Sequence, residues 1–321
     1  MTKSSSRVFR THSNYISAIS YVALDGNLSD EAEGLKLLSS KLMDSGWYMF
    51  LKPDKADRSQ LHRSINNAWG LEALYKMSDV FISEDDLTRL SNNWCVVQCY
   101  YIFYYLTQVI AICEGYKKPL SHAQVQRTYY SIMSKKPWFI SPWSLWYDQK
   151  GSQNTPPGFR PDNSIHAWRR VDDSTSLNLV LKALRTTREE YVNEAITRRK
   201  ERLSGENAGK TIRLSQKQKN QSEARVRPAT LISYLYRIKR NTLYERSSML
   251  STGPENFTQS KQFRWHVRRI IDTTLLIAEM LVSETIGEEL FNKWCSELEH
   301  YKPPAFIHTG PTYRMELIRG R

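Results

Sequence analysis

Hydrophobic positions recur at helical spacing along most of the chain. After Ser29 and a short acidic run, Leu35, Leu38, Leu42 and Met43 fall at helical spacing, which predicts a helix over SDEAEGLKLLSSKLMDSGWYMF. A second helix is expected in LHRSINNAWGLEALYKMSDVF, with an apolar face of Ile65, Trp69, Leu71, Leu74 and Met77. In SEDDLTRLSNNW, Ser83 suits an N-cap, and Asp85 and Asp86 suit the positive end of a helix. WCVVQCYYIFYYLTQVIAIC, Trp94 to Cys113, has no charged residue, and Gly115 and Pro119 are its stop signals.

Periodicity then lapses. The stretch from Lys135 to Trp168 holds five prolines among five Trp and Tyr residues, which predicts an irregular, ordered insert. Its tryptophans are expected to pack on a helical core more than to stack on bases. A helical pattern resumes at SLNLVLKALRTTREEYVNEAITRRKERL and runs into SGENAGKTIRLSQKQKNQSEARVRP. From Lys182 to Arg227 there are thirteen Lys or Arg against six Glu, and apolar residues nearly vanish in the second half. That composition predicts a mobile basic arm or a solvated linker.

Pro228 suits the first turn of a helix over ATLISYLYRIKRNTLYERSSML, with Leu231, Leu235, Ile238 and Thr242 on one side and Arg237, Lys239 and Arg240 on others. STGPENFTQS reads as a loop. One final long helix is expected in QFRWHVRRIIDTTLLIAEMLVSETIGEELFNKWCSELE, through Phe263, Val267, Ile270, Ile271, Leu275, Met280, Leu281 and Leu290. The tail from Pro303 to Arg321 carries no clear pattern. Strand signals are sparse, so the expected class is mainly α.

Charge changes the picture. Lys and Arg number 46 against 33 Asp and Glu, a net charge of +13, which favours a phosphate-rich partner. The apolar stretch is long enough to span a bilayer. Against that, Tyr100, Tyr101, Tyr104 and Tyr105 sit at its middle rather than at interfaces, and Gln98 and Gln108 add polar groups. A buried central helix is therefore expected, and no membrane partner. Cys95 and Cys99 share a helical face, but no second pair or nearby His completes a zinc set. With Cys113 and Cys295 they read as core thiols in a reducing cytoplasm. The amino terminus shows no apolar run of signal-peptide type. No phosphate-binding glycine loop, HExxH or GxSxG occurs, and neither metal nor cofactor is expected.

YYIFYYLTQVIAICEGY, then KPLSH, then YRIKRNTLYER before a long apolar helix, resembles the HEPN superfamily of α-helical ribonucleases and nucleotide-binding proteins. Tyr100, Tyr101, Gly115, Ser121 and His122 match its paired-Tyr helix ending in Gly with Ser-His soon after. Arg240 and Asn241 match the first half of its Arg…His motif, and Glu245 stands where the His belongs. The resemblance implies a helical bundle in which residues 91–134 and 228–300 form the core. Residues 1–90 would then be an N-terminal helical region, 135–227 the insert and basic arm, and 301–321 a tail. It further implies metal-independent RNA cleavage in active members, with His moving the proton and Arg stabilising the phosphorane.

A Glu in the histidine's place is a poorer base at neutral pH and repels phosphate. The expectation is therefore a nucleic-acid-binding protein of bacterial defence, toxin control or RNA metabolism, with a degenerate ribonuclease centre and RNA favoured over DNA. The alternatives are an active endoribonuclease using Arg240 with Asn241, Tyr244, Glu245 or His122, and a structural subunit of a nucleic-acid-bound assembly. A homodimer or a larger assembly is expected. The phosphate contacts expected are Arg237 and Lys239 near the core, and Arg198, Arg199, Lys200, Arg202, Lys217 and Lys219 on the arm. His122 and His266 are the histidines expected to approach Arg240. The Arg7–His12 and Arg160–His166 spacings are read as coincidences, the first because it precedes any strong helix.

Overall fold

The computed structural model describes residues 3–81, 85–135, 140–206, 213–245, 250–300 and 309–320. Two long apolar helices, α4 (Asp85–Cys113) and α9 (Phe257–Ile286), pack along each other and form the spine. Cys99, Tyr100, Phe103, Leu106 and Ile110 of α4 are buried, as are Val267, Ile271, Leu275 and Leu281 of α9. Among the described residues α4 alone is long and apolar enough to cross a membrane, and most of its apolar stretch is covered by protein. All four cysteines are buried as thiols. Helix α4 stops as expected. Gly115 takes φ +75°, its N–H reaches the Ile112 carbonyl, and Tyr116 N–H reaches that of Ala111, a paired closure that needs the left-handed residue. The Ser83 cap lies outside the described residues.

Around the spine stand α1 (Lys3–Ala23), α2 (Glu31–Asp44), α3 (Arg58–Phe81) and α5 (His122–Tyr129). They are joined by α6 (Ser176–Glu206), α7 (Gln216–Ala224), α8 (Leu231–Arg240), α10 (Glu288–His300) and α11 (Pro311–Arg319). Helix α1 lies within the expected N-terminal helical region, but no pattern marked it out. Its buried face of Phe9, His12, Tyr15, Ile16 and Ile19 has helical spacing, but three serines and two arginines early in the helix mask it. Asp30 caps α2, accepting from Glu33 N–H at 3.0 Å. On α3, Ile65 and Trp69 are buried as expected, whereas Leu74 is exposed and Glu72 and Lys76 take the inner face.

The expected single last helix breaks in two. Gly287, at φ +86°, separates α9 from α10, a conformation that side-chain-bearing residues avoid. Pro228 does not open α8; it precedes the two-residue strand β3 (Ala229–Thr230). That strand pairs antiparallel with β1 (Trp146–Asp148), which also pairs antiparallel with β2 (Gly151–Gln153). The insert is thereby tied to the start of α8. Its Trp143 is fully buried and donates to Thr274 Oγ1 of α9 at 3.2 Å, so this tryptophan serves packing.

The tail is no mere tail, because α11 carries Arg314 into the core. This guanidinium bonds Glu72 of α3 at 2.5 and 3.0 Å and Glu279 of α9 at 2.5 and 2.9 Å. Lys76 meets Glu72 at 2.5 Å and Asp272 at 3.0 Å. Trp69 Nε1 donates to Glu279 at 2.8 Å, so Glu72 and Glu279 each accept three hydrogen bonds.

Candidate nucleic-acid interface

Helix α8 ends in three basic residues, which the partial negative charge of a helix C-terminus favours. Their side chains diverge. The Lys239 ammonium lies 4.9, 4.8 and 5.5 Å from the ring centroids of Tyr100, Tyr101 and Tyr236, and 3.4 Å from the Tyr101 hydroxyl. Tyrosine faces attract a cation that is otherwise costly to bury. His122 borders the same cluster: its Nδ1 is 2.7 Å from the Tyr100 hydroxyl, and its ring packs against Tyr104 and Tyr236. Partial burial, aided by Lys239, lowers the His122 pKa, which favours a neutral ring at pH 7.

The residues of KPLSH have local duties. Ser121 caps α5, accepting from Gln124 N–H while the Gln124 side chain accepts from Ser121 N–H, a capping box. Tyr104 donates to the Leu120 carbonyl at 2.8 Å and Gln108 to that of Pro119 at 2.7 Å. The aromatic helix thus fixes the loop that delivers His122.

Arg240 turns the other way. It pairs with Glu190 of α6 at 3.1 Å and also binds Glu194. Arg237 is buried, 3.4 Å from Glu190 and 3.5 Å from Thr186 Oγ1, with its guanidinium over Tyr234. Both arginines therefore fasten α8 to α6. His12 was set aside as a motif residue, yet it comes to the same helix: its Nδ1 is 3.3 Å from the Tyr234 hydroxyl. The signal was the unread face of α1. Asn241 is buried in the π turn that continues α8 from Asn241 to Glu245. The side chains of Tyr244 and Glu245 lie outside the described residues.

His266 faces α1 instead, its Nδ1 3.2 Å from Ser20 Oγ. His166 accepts from Trp168 N–H within the insert, at 3.2 Å. Among the described residues no group of three His, Cys, Asp or Glu side chains is placed to hold a metal ion.

The stretch read as a mobile arm is helical over α6 and α7, with residues 207–212 outside the described part. Ser215 and Gln218 form a capping box that starts α7. Arg199 does not face outward. It docks α7 on α6 by donating to the Gln218 carbonyl at 2.9 Å, Gln221 Oε1 at 3.1 Å and Ser222 Oγ at 3.4 Å. A second clasp joins Arg188 to Glu223 at 3.0 Å. Arg198 is exposed and pairs with Glu194 at 3.2 Å. Lys200 and Arg202 on α6, Lys217 and Lys219 on α7, and the flanking Arg213 and Arg225 are exposed. Among the described residues none of these six has a carboxylate partner.

In comparisons with known proteins, no family model matches the chain, and no curated protein or solved structure matches it either.

Proposed function

We propose that this chain is a HEPN-like RNA-binding protein with a degenerate ribonuclease centre, and that it grips the phosphate backbone with the α6–α7 pair. The observation that carries this reading is the set of six exposed cations without carboxylate partners on and beside those two helices. Such cations lose little on meeting phosphate, whereas Arg240 would first have to leave Glu190 and Glu194. Backbone contacts of this kind carry no base information, so binding is expected to be steeply salt-dependent and weakly sequence-selective. The test is fluorescence anisotropy with single-stranded RNA between 50 and 200 mM salt, using the wild type and a variant with Lys200, Arg202, Lys217 and Lys219 changed to Gln. Affinity that is flat across that range, or unchanged in the variant, sinks the reading.

A second reading, a metal-independent endoribonuclease, draws support from His122, whose neutral ring and neighbouring Lys239 bring a base and a cation together. Incubation of RNA with the wild type, His122→Ala and Arg240→Ala in EDTA separates the two. Cleavage lost in His122→Ala would establish the enzyme; absence of cleavage in the wild type leaves binding alone.

A further inference from the structure

A cleft of about 480 Å³ opens between α1 and α9, a size typical of small-molecule sites. Ser6, Arg10, Ser13 and Ser17 succeed one another at four, three and four residues, so they line one face of α1. Gln259, Gln262 and His266 oppose them from α9. Phe9, packed on Phe263 with ring centroids 5.6 Å apart, supplies an apolar floor.

The two charges in this cleft are arranged differently. Glu255 Oε1 accepts from Ser6 Oγ at 2.8 Å and its Oε2 from Gln259 Nε2 at 3.4 Å, so the carboxylate is held in place with acceptor capacity to spare. Arg10 sits about 6 Å further along α1, one helical turn from Ser6. Its guanidinium lies 4.8 Å from the Trp168 ring centroid. His266 is spent on Ser20 through Nδ1 only. Burial, with Arg269 nearby, lowers its pKa to about 4, so it is neutral at pH 7.

A bare anion would meet Arg10 but be repelled by Glu255, and a bare cation would suffer the reverse. The remaining walls are hydroxyls and carboxamides, which suit a ligand rich in hydroxyl groups. We propose that the α1–α9 cleft binds a phosphorylated polyol, with the phosphate on Arg10 and a pair of vicinal hydroxyls on the Glu255 carboxylate. The rest of the ligand runs along Ser13 and Gln262 toward His266. Free sugar phosphates and the ribose phosphate of a mononucleotide share this chemistry. The site uses none of the α6–α7 cations and is independent of the RNA-binding reading.

The test is calorimetric titration of the full chain with ribose 5-phosphate, uridine monophosphate and inorganic phosphate. Ribose 5-phosphate is expected to saturate below about 1 mM and to bind at least tenfold more tightly than inorganic phosphate. Arg10→Gln and Glu255→Gln are each expected to weaken it about tenfold, with unchanged thermal melting. Tighter binding of the nucleotide assigns the site to nucleotides, and equal binding assigns it to the free sugar. Failure of both organic ligands to saturate overturns the proposal, as does equal affinity for inorganic phosphate. The sign of the Glu255→Gln effect is decisive: tighter binding would mean that the carboxylate only repelled an anion. The quadruple α6–α7 variant should bind ribose 5-phosphate normally, which separates this site's failure from that of RNA binding.

Discussion

The groups around Arg314 and the α6–α7 pair are both rich in charge, and they treat it in opposite ways. In the core and at its edge, Lys76, Arg268, Arg269 and Arg314 face Glu31, Glu72, Asp272 and Glu279, cation for carboxylate. On α6 and α7, Arg188, Arg237 and Arg240 clasp Glu223, Glu190 and Glu194 where they are partly buried, Arg185 and Arg198 pair with Glu189 and Glu194 at the surface, and the cations beyond them are left to water. A net charge of +13 therefore says little about where a polyanion would bind. Location depends on which cations already have partners. Core pairs trade a large desolvation cost for mutual attraction, whereas unpaired surface cations keep their attraction available for a partner.

The largest effect is expected from Arg314→Met. It takes the paired cation from buried Glu279 and leaves Lys76 to serve both Glu72 and Asp272, and urea unfolding should register a loss of about 3–5 kcal/mol. A loss below 1 kcal/mol would mean that Lys76 and Trp69 suffice without the guanidinium. Next comes the quadruple α6–α7 variant. Its stability should stay within about 0.5 kcal/mol of wild type. Its RNA affinity should fall about a hundredfold at low salt, and the slope of log affinity against log salt should shrink by about 3.

Acidity separates the two regions again. Burial, reinforced by Asp272, raises the Glu31 pKa from its ordinary 4.5 to about 7, against the pull of Arg269. The folded chain thus holds this proton more tightly than the unfolded one. The resulting stability is whole below about pH 4.5 and is lost as pH rises through about 7. Asp272 behaves oppositely: burial would raise its pKa, but Lys76, Arg314 and Arg268 hold it well below the usual range. Its contribution is present above about pH 4 and is lost only in strong acid. His266, whose lowered pKa makes stability rise over the same range, works against Glu31, so the effect is read as a difference: from pH 5 to 8 the wild type should lose the equivalent of ~1–2 kcal/mol relative to Glu31→Gln. Denaturation profiles that run parallel in the two proteins would place the titration elsewhere. The smallest change is expected from Arg240→Gln, which leaves Glu190 to Arg237 and Glu194 to Arg198 at a cost of about 1 kcal/mol. RNA affinity in this variant should stay within about twofold of wild type; a larger loss would move the interface to α8.

Much of the helical class was legible. A charge-free stretch with central tyrosines can only be comfortable inside protein, and α4 is there. Leu231, Leu235, Ile238 and Thr242 lie on the buried side of α8 as their spacing implied. What escaped was polar residues used internally. Glu72 and Lys76 occupy the inner face of α3, so the apolar face drawn through Leu74 was misplaced. Nothing near Arg314 in the chain announces partners on α3 and α9. Arg199, Arg237 and Lys239 look like surface cations in a basic sequence, and only the fold places a carbonyl, a carboxylate or a ring beside each. The Gly287 break was hidden because a lone glycine is tolerated within a helix. The α1–α9 cleft was out of reach, since one wall belongs to a helix that the pattern did not predict.

The Arg314 cluster also constrains the order of events during synthesis. Glu72 is made 242 residues before the guanidinium that neutralises it. While the ribosome works through everything between, α3 and α9 can be helical, yet only Lys76, Arg268 and the Trp69 N–H would offset the burial of Glu72, Asp272 and Glu279 without the guanidinium. Closure of this part of the core must wait for α11 to emerge, so a nascent chain halted before Arg314 should remain open between α3 and α9 and accessible to protease.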